Sequence, residues 1–150
     1  MIKVPRQKYD YMSMVAFSSQ YKINNPEKRV LVVEDNALYR EYVKSALGLL
    51  SIPVTEAENG LCALEMNHLE DFDLIITDMM MPEMDGITLI EEVRKVRPDV
   101  KIIAMTAGGR NAERESYLEL AEESGVDGLL RKPFPCGDLH TLVKDIFSIN

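Results

Sequence analysis

Asp78 ends the run Asp73-Leu74-Ile75-Ile76-Thr77-Asp78 and is followed by Met79-Met80-Met81-Pro82. A carboxylate delivered by an apolar strand onto a proline-marked loop belongs at the carboxyl edge of a sheet, where open α/β folds bind ligands. Glu34 and Asp35 close a second apolar strand, Arg29-Val30-Leu31-Val32-Val33, and Lys132 closes a third, just ahead of Pro133. Three acids and one lysine at strand ends can hold a divalent cation and an oxyanion together, which points to phosphoryl chemistry at Asp78.

The elements that must position these residues follow from the hydrophobic pattern. Strands are expected over Val30–Val33, Val54–Ala57, Leu74–Thr77, Ile102–Met105 and Leu129–Arg131, short and nearly continuous apolar runs of the kind covered by helices on both faces. Between them lie helical patterns. Tyr39, Tyr42, Val43, Ala46, Leu47 and Leu50 recur at helical spacing as a buried stripe, and Leu139, Leu142, Val143, Ile146 and Phe147 repeat it near the C-terminus. Pro98 closes a helix beginning near Gly86, and Gly125 is a natural left-handed stop for a helix over Ala112–Ser124. Strict β/α alternation predicts an α/β fold, a doubly wound parallel sheet with right-handed crossovers.

The chain has 150 residues, 46% of them hydrophobic, enough for one domain with a proper core. Its net charge of −8 is uneven. Residues 1–28 hold five Lys/Arg against two Asp/Glu, and the rest holds twelve against twenty-three. An acidic domain repels nucleic-acid phosphates, so direct DNA or RNA binding is not expected. Residues 1–28 read as a flexible or non-core leader, with a partner-docking arm as the sharper alternative because four aromatic residues lie there; residues 29–150 form the domain. Cys62 and Cys136 lack metal-ligand spacing and read as reduced thiols. No apolar stretch is long enough to insert in a membrane, and a cytoplasmic protein is expected.

In a doubly wound sheet the ends of the first, third, fourth and fifth strands converge, bringing together Glu34-Asp35, Asp78, Thr106 and Lys132. Hard oxygen ligands of this kind suit Mg²⁺. Beside the cation Asp78 can stay ionised and attack phosphorus, while Lys132 and the Thr106 hydroxyl meet phosphate oxygens. Gly108-Gly109 leave the backbone open for close approach. Blander readings stand beside these. Acids at strand ends can be helix caps, and Thr106 an ordinary strand-end threonine. Met79-Met80-Met81 reads as packing rather than a thioether metal site, and His68 and His140 as lone surface histidines without partners.

With Val32-Val33-Glu34-Asp35-Asn36, Asp78 followed by Met81-Pro82 and Asp85-Gly86, Thr106-Ala107, and Lys132-Pro133-Phe134, residues 29 to about 149 resemble a bacterial response-regulator receiver domain of the stand-alone, chemotaxis-regulator type. The resemblance implies a flavodoxin-like five-stranded sheet of order 2-1-3-4-5 with helices on both faces. It also implies Asp78 as phosphoacceptor and Asp35 as a direct Mg²⁺ ligand, with Glu34 acting through water and the Met80 backbone carbonyl completing the protein's share. Lys132 would bridge phosphate and carboxylate ahead of a cis bond to Pro133. Thr106 would be the switch hydroxyl, in a switch region with Ala107 and Leu129. A histidine kinase or histidine phosphotransfer protein would donate the phosphoryl group, and a downstream protein would read the result.

Two departures from the family pattern stand out. Leu129 takes the place of the family's switch aromatic, and the segment from Thr106 to Lys132 is longer than usual through Gly108–Asn111. Without a polar group at Met80, or a shield at Gly108, to orient water, a slow to intermediate loss of phosphate is expected. The function expected is therefore a two-component or phosphorelay switch. Its rivals are a receiver-like binding module that is not phosphorylated and a Mg²⁺-dependent phosphohydrolase with an Asp nucleophile. The hydrolase chemistry resembles Asp-x-Asp, and here Met80 stands where its proton donor should be.

Overall fold

A computed structural model of the chain describes residues 28–69, 71–107 and 112–149. Among them lie strands β1 (Val30–Val33), β2 (Val54–Ala57), β3 (Leu74–Asp78), β4 (Lys101–Ala107) and β5 (Gly128–Lys132). They alternate with helices α1 (Ala37–Gly48), α2 (Gly60–Leu69), α3 (Gly86–Val96), α4 (Ala112–Glu123) and α5 (Cys136–Phe147). Neighbouring strands pair in parallel in the order β2-β1-β3-β4-β5. This is a doubly wound sheet, as the β/α alternation predicts, in the flavodoxin-like order that the resemblance implies.

Side-chain alternation along each strand divides the interior into two layers. Val30, Val32, Leu74, Ile76, Ile103, Met105 and Leu130 pack with Val43, Ala46 and Leu47 of α1 and with Leu139 and Val143 of α5. Leu31, Val33, Ile75, Ile102 and Ala104 pack on the other face with residues of α2, α3 and α4. All four residues of β1 and all five of β3 are buried, which is why β1 and the first three residues of β3 are apolar without alternation.

Three strands reach further than their apolar runs. β3 takes in Asp78, β4 takes in Thr106 and Ala107, and β5 takes in Lys132. Polar side chains do not stop a strand whose backbone still finds a partner: Asp78 pairs with Met105, Thr106 with Arg131 and Ala107 with Lys132. Asp78, Thr106 and Lys132 are thus held in the ladder itself, whereas Glu34 and Asp35 follow directly after β1. The punctuation acts where expected. Asn36 caps α1 by accepting from Tyr39 N–H at 3.0 Å, Asp85 caps α3 by accepting from Thr88 N–H at 2.8 Å, and Gly125 follows α4 at a φ of +70°.

Two expectations need correction. The α1 stripe is buried only at Val43, Ala46 and Leu47; Tyr42 is 36% exposed, because its hydroxyl runs out to donate to the Phe134 carbonyl at 2.7 Å. His140 is not without partners. Its Nε2 lies 2.5 Å from the Ala46 carbonyl oxygen and 3.2 Å from Cys136 Sγ. Ala46 lies in the last turn of α1, where helix carbonyls lack backbone donors, and only the crossing of α5 over α1 brings the imidazole there. The leader over residues 1–27, the segment Gly108–Asn111 and the side chain of His68 lie outside the described residues.

Candidate functional site

The carboxyl ends of β1 and β3 set two acids side by side. Val33 pairs with Thr77, so Glu34 and Asp78 come next on adjacent strands. Glu34 is 1% exposed and Asp78 5%, whereas Asp35 is exposed. One carboxylate oxygen from each of Glu34, Asp35 and Asp78 can be chosen so that all lie within 4.8 Å of one another. Lys132 enters from the end of β5, its Nζ 2.5 Å from Glu34 Oε2 and 3.4 Å from Asp78 Oδ1. The Lys132–Pro133 bond is cis, as the resemblance implies.

The backbone around the acids is fixed from several sides. Met79 N–H donates to Asp78 Oδ1 at 3.0 Å, and the Thr77 hydroxyl donates to the Asp78 carbonyl at 2.9 Å. Asn36 N–H donates to Glu34 Oε1 at 3.2 Å, while Arg40 Nη1 donates to the Glu34 carbonyl at 2.6 Å. Gly86 matters here for its missing side chain. A Cβ on it would sit 2.5 Å from the Asp78 carbonyl and 2.8 Å from Met79 Cα, so only glycine lets α3 start against the acid's own backbone.

Electrostatically the cluster is short of positive charge. Burial pushes the Asp78 carboxyl above its ordinary range, opposed by Lys132 and reinforced by Asp35. Glu34 is also raised, again by burial first, with the Lys132 hydrogen bond opposing it and Asp78 adding repulsion. One ammonium does not offset the desolvation of two carboxylates with a third beside them. Hard oxygen donors, close mutual distances and uncompensated negative charge are the conditions a small divalent cation fits, and Mg²⁺ needs only one or two carboxylates from the protein.

Of the residues singled out from sequence, Glu34, Asp35, Asp78 and Lys132 meet directly. Thr106 is 4% exposed and lies one residue beyond Asp78's partner on β4. Met80 follows on the β3–α3 loop, and Ala107 closes β4 opposite Lys132. Leu129 is apart from this group: it pairs with Ala104 and packs in the layer covered by α2, α3 and α4. Sequence reasoning missed Arg40 and Tyr39. The centre of the Tyr39 ring stands 4.4 Å from Lys132 Nζ, and the rings of Phe134 and Tyr42 make T-shaped contacts with it. The helical period had put Tyr39 in the core stripe, and nothing in that period reveals a contact with β5.

Comparison with known proteins identifies a family and a shared fold. Residues 30–144 match the model of the response regulator receiver domain. The chain is 36% identical over 127 residues to chemotaxis protein CheY-3 of Vibrio cholerae serotype O1, covering 84% of this chain and 96% of that one. It is also 36% identical over 120 residues to "Probable transcriptional regulator ycf27" of Guillardia theta, covering 80% of this chain but 45% of that protein. The chain thus spans under half the length of one relative and nearly all of the other. With sensor protein EvgS of Escherichia coli (strain K12) it shares 30% identity over 149 residues, 99% of this chain and 12% of EvgS. Among solved structures, Vibrio cholerae chemotaxis protein CheY4 superposes with a TM-score of 0.70 at 26% identity, over 80% of this chain and 98% of that one. A CheY-like receiver domain protein from Methanospirillum hungatei JF-1 does so with a TM-score of 0.71 at 27% identity, over 82% and 96%.

Proposed function

The chain belongs to the response regulator receiver domain family, and on that premise we propose that Asp78 is its phosphoacceptor and that Mg²⁺ bound by the acid cluster enables the transfer. A receiver domain is a signalling switch that interacts with kinases or phosphotransfer proteins and with downstream effectors. The finer reading rests on one observation above all: a buried carboxylate at a strand end, with two further acids and a lysine around it, whose charge the protein itself leaves uncompensated.

The chemistry follows from the contacts. Asp78 Oδ1 is held by Met79 N–H and faces Lys132, which leaves the other oxygen to attack phosphorus. As that P–O bond forms, the bond from phosphorus to the donor's leaving group breaks and the leaving group takes the electron pair. A histidine donor would leave as its imidazole. Mg²⁺, when bound, supplies charge neutralisation for the carboxylates and the phosphoryl oxygens. Asp35 and Glu34 hold that charge in place, with the Met80 carbonyl as a further oxygen donor. Lys132 is the lever on the product. Its ammonium lies between Glu34 and Asp78 and can follow the new phosphoryl oxygens while remaining anchored on β5. Thr106 donates its hydroxyl to a phosphoryl oxygen, and this draws the end of β4 inward as the switch.

The test is incubation with Mg²⁺ and acetyl phosphate, followed by intact mass and base treatment. One base-labile phosphoryl group should appear, and it should be absent from Asp78→Asn. Phosphate on another residue, or unchanged labelling in Asp78→Asn, removes the assignment.

A further inference from the structure

Lys132 has a long, flexible stem, and what holds its ammonium in place decides whether it can serve the phosphoryl group. Its nearest anionic partner is Glu34 at 2.5 Å, ahead of Asp78 at 3.4 Å. Both carboxylates belong to the cluster that a divalent cation would use, so both contacts weaken once that charge is neutralised. The third neighbour is different in kind. The ring of Tyr39 lies 4.4 Å from Nζ and carries no charge for a cation to cancel. It is also rigidly mounted. The rings of Tyr42 and Phe134 lie 5.6 Å from it in T-shaped contacts, with interplanar angles of 68° and 75°. Asn36 caps the helix turn that carries it, through Tyr39's own N–H.

The hydroxyl of Tyr39 does not explain the residue. It is shut off from solvent and has no hydrogen-bond partner of ordinary geometry, and the Phe134 carbonyl accepts from the Tyr42 hydroxyl instead, at 2.7 Å. A buried hydroxyl without a partner destabilises a fold. The ring is therefore the part of Tyr39 that the site uses.

We propose that Tyr39 is a positioning residue for the phosphoryl transfer at Asp78: its aromatic face holds the Lys132 ammonium over the acid cluster when the carboxylates are occupied by the metal. This rests on the reading of Asp78 as phosphoacceptor. A ring face attracts an ammonium most strongly where water is excluded, and Lys132 is only 17% exposed. Losing the ring frees the stem to swing towards solvent, and the lysine then meets the phosphoryl group less often.

The test compares wild type, Y39F and Y39L with Mg²⁺ and acetyl phosphate, alongside NMR of the lysine side chains. In Y39L the rate at saturating donor should fall roughly five- to thirtyfold, the range expected for a desolvated ammonium–ring contact. The donor concentration for half-maximal rate should change little. Y39F keeps the ring and should recover the wild-type rate within about twofold. In wild type and Y39F the Lys132 ε-protons should be shifted upfield by the ring, with and without Mg²⁺, and Y39L should lose that shift while melting as one cooperative unit. If Y39L does not fold, Y39M, which fills the same space without an aromatic face, takes its place. Wild-type rates in a folded non-aromatic variant, or a Lys132 signal without an upfield shift in wild type, overturn the proposal and leave the phosphoacceptor reading standing. No labelling of wild-type Asp78 removes both.

Discussion

The two ends of the sheet use the same kinds of side chains to opposite effect. At the amino end, Arg94 donates to the Pro98 and Val100 carbonyls at 2.8 and 2.6 Å and lies 3.7 Å from Asp127. Asp127 also accepts from Ile102 N–H at 2.9 Å and pairs with Lys101 at 3.6 Å. Two cations, Arg94 and Lys101, and two acids, Asp99 and Asp127, line an open groove of about 600 Å³ there. At the carboxyl end three acids meet one lysine, two of the acids are buried, and burial overrides the lysine in both. The first arrangement satisfies itself and fastens β4 to β5. The second is left short of positive charge, which suits it to a cation and a phosphoryl group. A deficit of this kind marks a site better than the size of a groove does.

The largest expected effect is at Asp78. Asp78→Asn should abolish phosphoryl uptake, yet raise the melting temperature of the metal-free protein at neutral pH, because it removes a buried and poorly compensated charge. Asp127→Asn, at the self-satisfied end, should do the reverse. Phosphorylation should persist while stability falls by about 1 kcal/mol, a charged hydrogen bond discounted for partial exposure. Thermal melts and phosphoryl labelling on both variants check the contrast; it breaks if both shift Tm in the same direction.

Removing the ammonium that faces Glu34 and Asp78 comes next. Lys132→Met should slow transfer by roughly 10²–10³-fold, the usual cost of losing one transition-state charge donor. It should also lower Tm at neutral pH by leaving Glu34 and Asp78 facing each other. Single-turnover labelling measures the first effect. The second should shrink on acidification, and a loss of stability independent of pH would point instead to packing of the lysine stem.

The pH dependence has a definite sign. Asp78 and Glu34 are raised above their ordinary values of 3.8 and 4.5 in the folded protein, so the folded state holds their protons more tightly than the unfolded one. Their contribution to stability is present at acid pH and is lost as pH rises through the raised values. Melts of the metal-free protein should therefore improve on acidification from neutrality towards those values, before other groups dominate. Added Mg²⁺ should stabilise at neutral pH, by about 2.7 kcal/mol at a hundredfold excess over Kd. That gain should fade over the same window as protons displace the ion. Asp35→Asn should weaken Mg²⁺ binding and slow transfer. A Mg²⁺ effect that is flat with pH, or unchanged in Asp35→Asn, would place the ion elsewhere.

The smallest effect concerns the switch. Thr106→Ala should still be phosphorylated but lose most of the conformational response, since one hydrogen bond to a charged group contributes about 1.5–3 kcal/mol. Leu129→Ala should mainly cost packing, because Leu129 sits in the layer under α2, α3 and α4 with no polar handle. Amide shifts of α4 with and without beryllofluoride decide between them. A response that survives Thr106→Ala but is lost in Leu129→Ala would reverse the roles.

The sequence by itself determined the order of strands and helices, because continuous apolar runs and helical stripes have different periods. It also located Glu34, Asp35, Asp78 and Lys132, because each ends or directly follows a strand and strand ends converge in this topology. The structure alone decided what depends on contacts across elements. It brought the Tyr39 ring from a helical stripe onto Lys132, turned Tyr42 outward to the Phe134 carbonyl, and gave His140 a partner in the last turn of α1. It also fixed the extra reach of β3, β4 and β5, which the neighbouring strands decide rather than the polar residues themselves. Periodicity states which face of an element is apolar; only the crossing of one element over another states what that face touches.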